Sequence, residues 1–180
     1  MDTNLLNNYV LKAIDAYPYE LEETVENLNY ALSYESNNAY ALYLMGCLQA
    51  EQFEDYEKSK QYFAEVLANK MDFTKVYPMY ILVLLWNEDY DEAQKLIDFA
   101  KTVKAVGKCQ LFVLQAQLFE CLQQPKKALR TFKKAKQMAY NNQYISFIDF
   151  EISRVKDKIK PKKKASDKKE KSTKTKKSKK

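Results

Sequence analysis

Apolar residues recur at intervals of three and four along most of the chain, a spacing that places them on one face of an α-helix. In residues 87–100 that face would carry Tyr90, Ala93, Ile97 and Ala100, with acidic residues between them. Sustained alternation with a period of two, which is typical of strands, is not found. Two glycines and four prolines in 180 residues are very few. The pattern predicts an all-α protein.

This helical pattern recurs at a nearly constant interval. Small residues stand 35, 34 and 35 residues apart, at Thr24, Ser59, Ala93 and Ala128. Each is followed by a large apolar residue and then by alanine or valine. A period of this size is typical of a solenoid, in which helix pairs stack and bury a continuous core.

The repeat resembles the tetratricopeptide repeat, a helix–turn–helix unit of about 34 residues. The match covers about residues 5–142 and is strongest in the second helix of each unit. Three features depart from the family pattern. No repeat keeps the proline that usually closes the unit, Ile81 occupies a position that is normally small, and Pro78 falls inside the first helix of the third unit. The first unit aligns poorly. Asn8 and Asp15 stand at positions for large residues, and Leu11-Lys12 stands where a large residue is followed by a small one.

We therefore predict an α-solenoid of about four tetratricopeptide-like helix pairs. Residues 142–158 form a further amphipathic helix without a partner, and stacked repeats need such an element to cover their apolar end. From Lys160 onward lysine, serine and threonine dominate and large apolar residues are absent. Such a segment is expected to be disordered because it cannot bury enough apolar surface. The predicted organisation is a repeat domain at 1–159 and a basic tail at 160–180.

Individual residues predict local features of these helices. Gly46 is expected to face Ser59 where two helices cross closely. Pro78 is expected to delay the start of its helix to about Tyr77, or to kink it, because proline lacks an N–H group. Gly107 is expected to end the helix at 89–104 in the left-handed conformation.

The charge of +6 is unevenly distributed along the chain. Residues 160–180 hold 12 lysines and two acidic residues, a net charge of +10, whereas the other 159 residues hold 18 basic and 22 acidic groups, a net of −4. The tail contains no aromatic residue, so any binding to nucleic acid is expected to be independent of sequence. Three interpretations of the tail stay open: a solubilising tail, a nucleic-acid arm and an anchor for acidic surfaces. The lysines expected to contact polyanions are Lys162, Lys163, Lys164, Lys168, Lys169, Lys176 and Lys177.

The chain lacks the residue types that most catalytic sites require. It has no histidine, its three cysteines form no CxxC pair, and two isolated glycines cannot build a phosphate-binding loop. We predict no catalytic residues, no metal and no cofactor, and hence a protein that is not an enzyme. No secretory signal is apparent, and the longest apolar run, residues 76–86, is too short to cross a bilayer. These features predict a cytoplasmic protein.

The family resemblance implies that the first helices line a concave groove that binds a peptide or a partner protein. Tyrosine suits such recognition because it supplies a large contact area at low entropic cost. Tyr40 and Tyr43 could equally cover neighbouring helices. Only Lys75 resembles the clamp with which some family members hold a chaperone's C-terminal carboxylate, so binding of that type is not expected. The predicted groove residues are Tyr9, Tyr40, Tyr43, Cys47, Lys75, Gln110, Val113 and Gln117.

The sequence thus predicts a scaffold or adaptor for protein–protein interaction. The alternative is a nucleic-acid-associated adaptor whose lysine-rich tail binds polyanions nonspecifically, while the repeats bind a protein.

Overall fold

The structure is a computed structural model, and it describes residues 7–159. Over that range the chain forms nine α-helices and no strand, joined by short turns. The helices are α1 (Asn8–Ala16), α2 (Leu21–Tyr34), α3 (Ala39–Glu51), α4 (Tyr56–Asn69), α5 (Val76–Trp86), α6 (Tyr90–Ala100), α7 (Lys108–Cys121), α8 (Pro125–Met138) and α9 (Asn142–Ile159).

The helices stack in chain order as antiparallel pairs. Every helix packs against the next one along the chain, and the first helices of successive pairs, α1, α3, α5 and α7, also contact one another. The first helices therefore form one layer, and their partners α2, α4, α6 and α8 form the other. This arrangement confirms the predicted all-α solenoid of four helix pairs.

The repeat period appears directly in the buried core. Three residues are completely buried in each of α2, α4, α6 and α8. They are the small residue, the large residue four positions later and the residue three positions after that. These residues lie on the side of each second helix that faces its neighbours. They are Thr24, Leu28 and Ala31; Ser59, Phe63 and Val66; Ala93, Ile97 and Ala100; and Ala128, Phe132 and Ala135.

Gly46 allows α3 and α4 to approach closely, as predicted. The Ser59 hydroxyl donates a hydrogen bond of 2.8 Å to the carbonyl oxygen of Gly46. A Cβ atom added to Gly46 would lie only 2.3 Å from the ring of Phe63. In the third pair the equivalent residue is Ile81, and α5 and α6 pack less extensively than α3 and α4 do. The larger side chain and the shorter helices both reduce that contact.

The first pair has a different register from the predicted one. Helix α1 buries Val10, Ala13 and Ala16, whereas Leu11 is 44% exposed. The buried small residue Ala13 lies 11 residues before Thr24, but Gly46 lies 13 residues before Ser59. The shorter connection shifts the buried face of α1. An alignment at constant period therefore misassigns this helix.

Residues with positive φ recur in the turn inside each of the last three pairs, at Glu54, Glu88 and Gln123. At Gln123 the chain forms both hydrogen bonds of a Schellman motif, from the Gln124 N–H to the Phe119 carbonyl and from the Gln123 N–H to the Glu120 carbonyl. The left-handed residue ends α7 and reverses the chain, so the 34- to 35-residue period extends to the backbone of the turns.

Two helix boundaries depend on proline and glycine. Helix α5 begins at Val76, so Pro78 lies in its first turn, where its missing N–H group breaks no helical hydrogen bond. Helix α6 ends at Ala100, and Gly107 precedes α7 with φ −64°. Ala105, not Gly107, takes the left-handed conformation, with φ 67°. The predicted role of Gly107 is therefore wrong.

Helix α9 covers the open end of the solenoid. It packs on α8 and buries Ile148, Ile152 and Val155. Arg154 pairs with Glu120 on α7, and the Lys158 ammonium lies 2.8 Å from the same carboxylate. Apolar contact and ion pairs together attach α9 as the predicted capping helix. The predicted tail at 160–180 lies outside the described residues.

Candidate functional site

The layer of first helices contains a cavity of about 390 Å³. Residues of α3, α5 and α7 line it together with the connections that precede α5 and α7. Three predicted groove residues, Tyr43, Lys75 and Gln110, share this cavity, and Pro78 and Leu82 lie between them on α5. The structure therefore brings together residues that are up to 67 positions apart in the chain.

Aromatic packing positions the tyrosines of α3. The Tyr43 ring lies 6.0 Å from Phe63 and 5.6 Å from Phe73, measured between centroids, and Tyr40 meets Phe73 edge to face at 4.8 Å. Both tyrosines are half-buried. Both rings pack against the core. Tyr43 also lines the cavity, so covering the core and facing the groove are compatible for that ring. Tyr40 does not line the cavity, and its binding role stays a prediction.

Lys75 is an exposed cation at the edge of the cavity. Its ammonium group lies 4.9 Å from the centroid of the Tyr40 ring, a distance at which the ring face attracts a cation. The lysine is therefore oriented by an aromatic ring and retains its capacity to donate hydrogen bonds to a bound acid.

Cys47, one turn after Tyr43 on α3, is buried and chemically inert. Burial raises the pKa of its thiol to about 12; a hydrogen bond with Tyr43 opposes this effect and the nearby charge of Glu51 adds to it. Burial also raises the pKa of the Tyr43 hydroxyl. Both groups are neutral at physiological pH, and a neutral thiol is a poor nucleophile.

The remaining predicted groove residues lie elsewhere. Tyr9 packs onto α2, with centroid distances of 5.4 Å to Tyr30 and 5.7 Å to Tyr34. Val113 is buried in the core beside α8 and α9. Gln117 is half-buried, and its Oε1 atom accepts no hydrogen bond from the described residues. The seven tail lysines lie outside the described range. A binding role for any of these residues stays a prediction.

Sequence reasoning missed the connection between α6 and α7 as part of the site. Ala105, Val106 and Gly107 line the cavity, and Gly107 and Gln110 also border a second cavity of about 580 Å³ that reaches Tyr140. The helical pattern gave no signal here because these residues belong to turns. The same pattern instead extended the preceding helix to residue 104.

The cavity combines apolar side chains with one ammonium group and one amide. This arrangement suits noncovalent binding of a segment with apolar and acidic groups. In residues 7–159 no group of three or more cysteine, aspartate or glutamate side chains is placed to hold a metal ion. In the same residues no helix is long and apolar enough to cross a membrane.

The fold and the cavity define an α-solenoid of the tetratricopeptide type. Solved structures of other proteins share this fold. The chain aligns with PilF of Pseudomonas aeruginosa at a TM-score of 0.72 and 16% identity, over 84% of this chain and 67% of that chain. It aligns with a structure described as the MamA RS-1 ArsTM double mutant at a TM-score of 0.61 and 19% identity, over 83% of this chain and 88% of that one. These alignments confirm the resemblance at the level of the fold.

A tetratricopeptide repeat protein from Parabacteroides merdae also aligns, with a TM-score of 0.46 and 16% identity, over 82% of this chain and 70% of that chain. No protein-family model matches the sequence, and no curated protein matches it.

Proposed function

We propose that the protein is a scaffold for protein–protein interaction that binds a segment of its partner in the groove formed by α3, α5 and α7. The observation that carries the proposal is the cavity shared by Tyr43, Lys75 and Gln110. Helices from three successive pairs contribute to it, so a segment lying there would contact several repeats at once.

The chemistry of the cavity favours a segment with an apolar side chain beside a carboxylate. Pro78, Met79 and Leu82 supply an apolar surface, and burial of an apolar side chain contributes about 25 cal/mol per Å². Lys75 supplies a cation for the carboxylate, and Gln110 supplies both a hydrogen-bond donor and an acceptor. The half-buried Tyr43 adds a rigid aromatic surface, which loses little entropy on binding.

Peptide selection tests this proposal. A random peptide library is selected against the full-length protein, and the enriched peptides are measured by fluorescence anisotropy. We expect them to contain an apolar residue next to Asp or Glu, and to bind the Lys75→Glu variant at least about tenfold more weakly, since a repelled carboxylate costs on the order of 1–2 kcal/mol. Gln110→Ala is expected to weaken binding by a smaller factor.

Lys95→Glu provides a matched control, because Lys95 is an exposed lysine on α6 outside the cavity. Binding to this variant should be unchanged at moderate salt. Peptides that lose affinity equally for the Lys75 and Lys95 variants would be sensing net charge, and peptides unaffected by Lys75→Glu and Gln110→Ala would bind elsewhere. Either result would contradict groove binding.

A further inference from the structure

A larger cavity, of about 800 Å³, lies in the other layer of the solenoid, between α2 and the turn that joins α3 to α4. Its walls are formed by Leu21, Val25 and Tyr30 on α2 and by Phe53 in the turn. It shares no lining residue with the groove cavity. A ligand here would therefore occupy a surface separate from the groove.

The apolar surface of this cavity is open to solvent. Phe53 is 54% exposed and Tyr30 is 48% exposed, whereas Val25 is half-buried. Leu21 and Val25 are four residues apart and lie on one side of α2. A concave, mostly apolar surface of this kind can accept an apolar side chain of a ligand.

The rim of the cavity is acidic. Glu22 and Glu26 border it, four residues apart and thus about 6 Å along the helix axis. Neither carboxylate forms an ion pair within the described residues, although Lys12 borders a neighbouring cavity with them. These two carboxylates are therefore available to a cationic ligand.

The surrounding sequence adds to the negative charge of this surface. Residues 13–57 contain no lysine or arginine. They contain ten acidic residues, which are Asp15, Glu20, Glu22, Glu23, Glu26, Glu35, Glu51, Glu54, Asp55 and Glu57. A surface of one charge sign attracts ligands of the opposite sign and raises their association rate.

We infer that this cavity is a second interaction surface, which binds a cationic amphipathic helix of a partner protein. A large apolar side chain of that helix inserts between Val25 and Phe53. Lysine or arginine residues on the same side of it pair with Glu22 and Glu26. Partner residues spaced by four positions match the spacing of these two carboxylates, because both belong to α-helices.

Two other cationic segments offer less complementarity. The chain's own lysine-rich tail contains no large apolar residue that could enter the cavity. Helix α8 of a second copy carries six exposed basic residues, but its aromatic residue, Phe132, is completely buried, and its exposed large apolar residue, Met138, is the last residue of the helix. The tail would match the charge of the rim without filling the apolar cavity, and α8 would offer the cavity a terminal methionine instead of a central anchor.

Synthetic peptides test the inference on the full-length protein. The probe is a helical peptide of about fifteen residues with a central phenylalanine and lysines four residues apart on the same face. One matched peptide has alanine in place of the phenylalanine, and another has glutamate in place of the lysines. We expect the first peptide to bind, as measured by fluorescence anisotropy, and each matched peptide to bind at least about tenfold more weakly, as loss of an interface anchor commonly costs.

Variants of the protein then locate the site. Glu22→Lys combined with Glu26→Lys should weaken binding at least about tenfold, and Phe53→Ala about five- to tenfold. Glu65→Lys on α4 and Phe150→Ala on α9 are matched controls, because both residues are exposed and neither lines the cavity. Lys75→Glu, in the groove, should leave binding of this peptide unchanged. Circular dichroism checks that each variant is helical.

Four results would overturn the inference. The first is absence of binding by the parent peptide. The second is equal binding by the alanine peptide, which would indicate attraction by charge alone. The third is equal weakening in the Glu65→Lys control. The fourth is a dimer of the full-length chain, detected by sedimentation velocity, that the double glutamate variant dissociates, because the occupant would then be a second copy.

Discussion

Gly46 shows how one residue determines the distance between two helices. Glycine inside a helix costs about 1 kcal/mol relative to alanine, yet here it permits the Phe63 ring to pack directly against the α3 backbone. Ser59 adds a buried hydrogen bond to the Gly46 carbonyl. The close contact between Phe63 and the α3 backbone, which a larger residue at position 46 would prevent, offsets the cost of glycine to the helix.

Gly46→Ala is therefore expected to destabilise the protein, although alanine is the better helix former. The new methyl group would lie 2.3 Å from the Phe63 ring, and overpacking of a rigid core typically costs about 1–3 kcal/mol. Chemical denaturation measures the change in the free energy of unfolding. A double variant with Phe63→Leu should lose less than the sum of the two single changes. A Gly46→Ala variant as stable as the wild type would show that the crossing is not tight.

At the scale of helices and turns, residues in the left-handed conformation recur with the repeat period. Helix α7 ends with a Schellman motif at Gln123, a position where glycine is usual. Left-handed backbone costs a residue with a side chain about 1–2 kcal/mol. The packing of the helices on either side of the turn offsets this cost.

Gln123→Gly is expected to stabilise the protein by about 0.5–1 kcal/mol, because the relief of the left-handed conformation exceeds the added entropy of the unfolded chain. Thermal unfolding followed by circular dichroism measures the change. Lys133→Gly, at an exposed position inside α8, is the control and should cost about 1 kcal/mol. A destabilised Gln123→Gly variant would indicate that the glutamine side chain contributes more than the backbone strain costs.

At the scale of the whole molecule, polar side chains tie successive helix pairs together. Lys60 on α4 pairs with Asp89 before α6 at 2.6 Å, and the Gln115 amide on α7 donates to Gln94 on α6 at 2.7 Å. Arg154 connects α9 to α7 through Glu120. These contacts supplement the apolar core where neighbouring units meet.

Of the carboxylates in these ion pairs, Glu120 is more buried than Asp89. The Glu120 side chain is 9% exposed. Burial alone would raise the pKa of its carboxyl group, but the hydrogen bonds from Arg154 and Lys158 outweigh that effect and lower the pKa. The carboxylate is therefore charged when buried, and it depends on its cations for stabilisation.

Arg154→Ala is expected to destabilise the C-terminal end of the solenoid by about 2–3 kcal/mol, because it leaves Glu120 and Glu151 without their shared cation. Hydrogen exchange should accelerate first in α9. Arg130→Ala, at an exposed arginine of α8, should change stability by less than about 0.5 kcal/mol. Equal effects of the two changes would show that the Glu120 ion pair does not attach the capping helix.

The amino-acid sequence by itself determined the fold class, the number of helix pairs and the residues at the crossings of the second helices. It did so because a buried position that recurs with each unit requires a residue of similar size, as Ser59 and Ala93 illustrate. The capping helix was also predictable, since its apolar stripe has no partner elsewhere in the repeat pattern.

Only the tertiary structure decided the register of α1, the end of α6 and the composition of the groove. A shortened connection moved the buried face of α1, and that change has no signature in the periodicity. Tyr43, Lys75 and Gln110 meet because three helices stack, whereas Tyr9 turns toward α2 to stack on other aromatic rings. Periodicity identifies which face of a helix is buried, but the packing of neighbouring helices decides which side chains share a cavity.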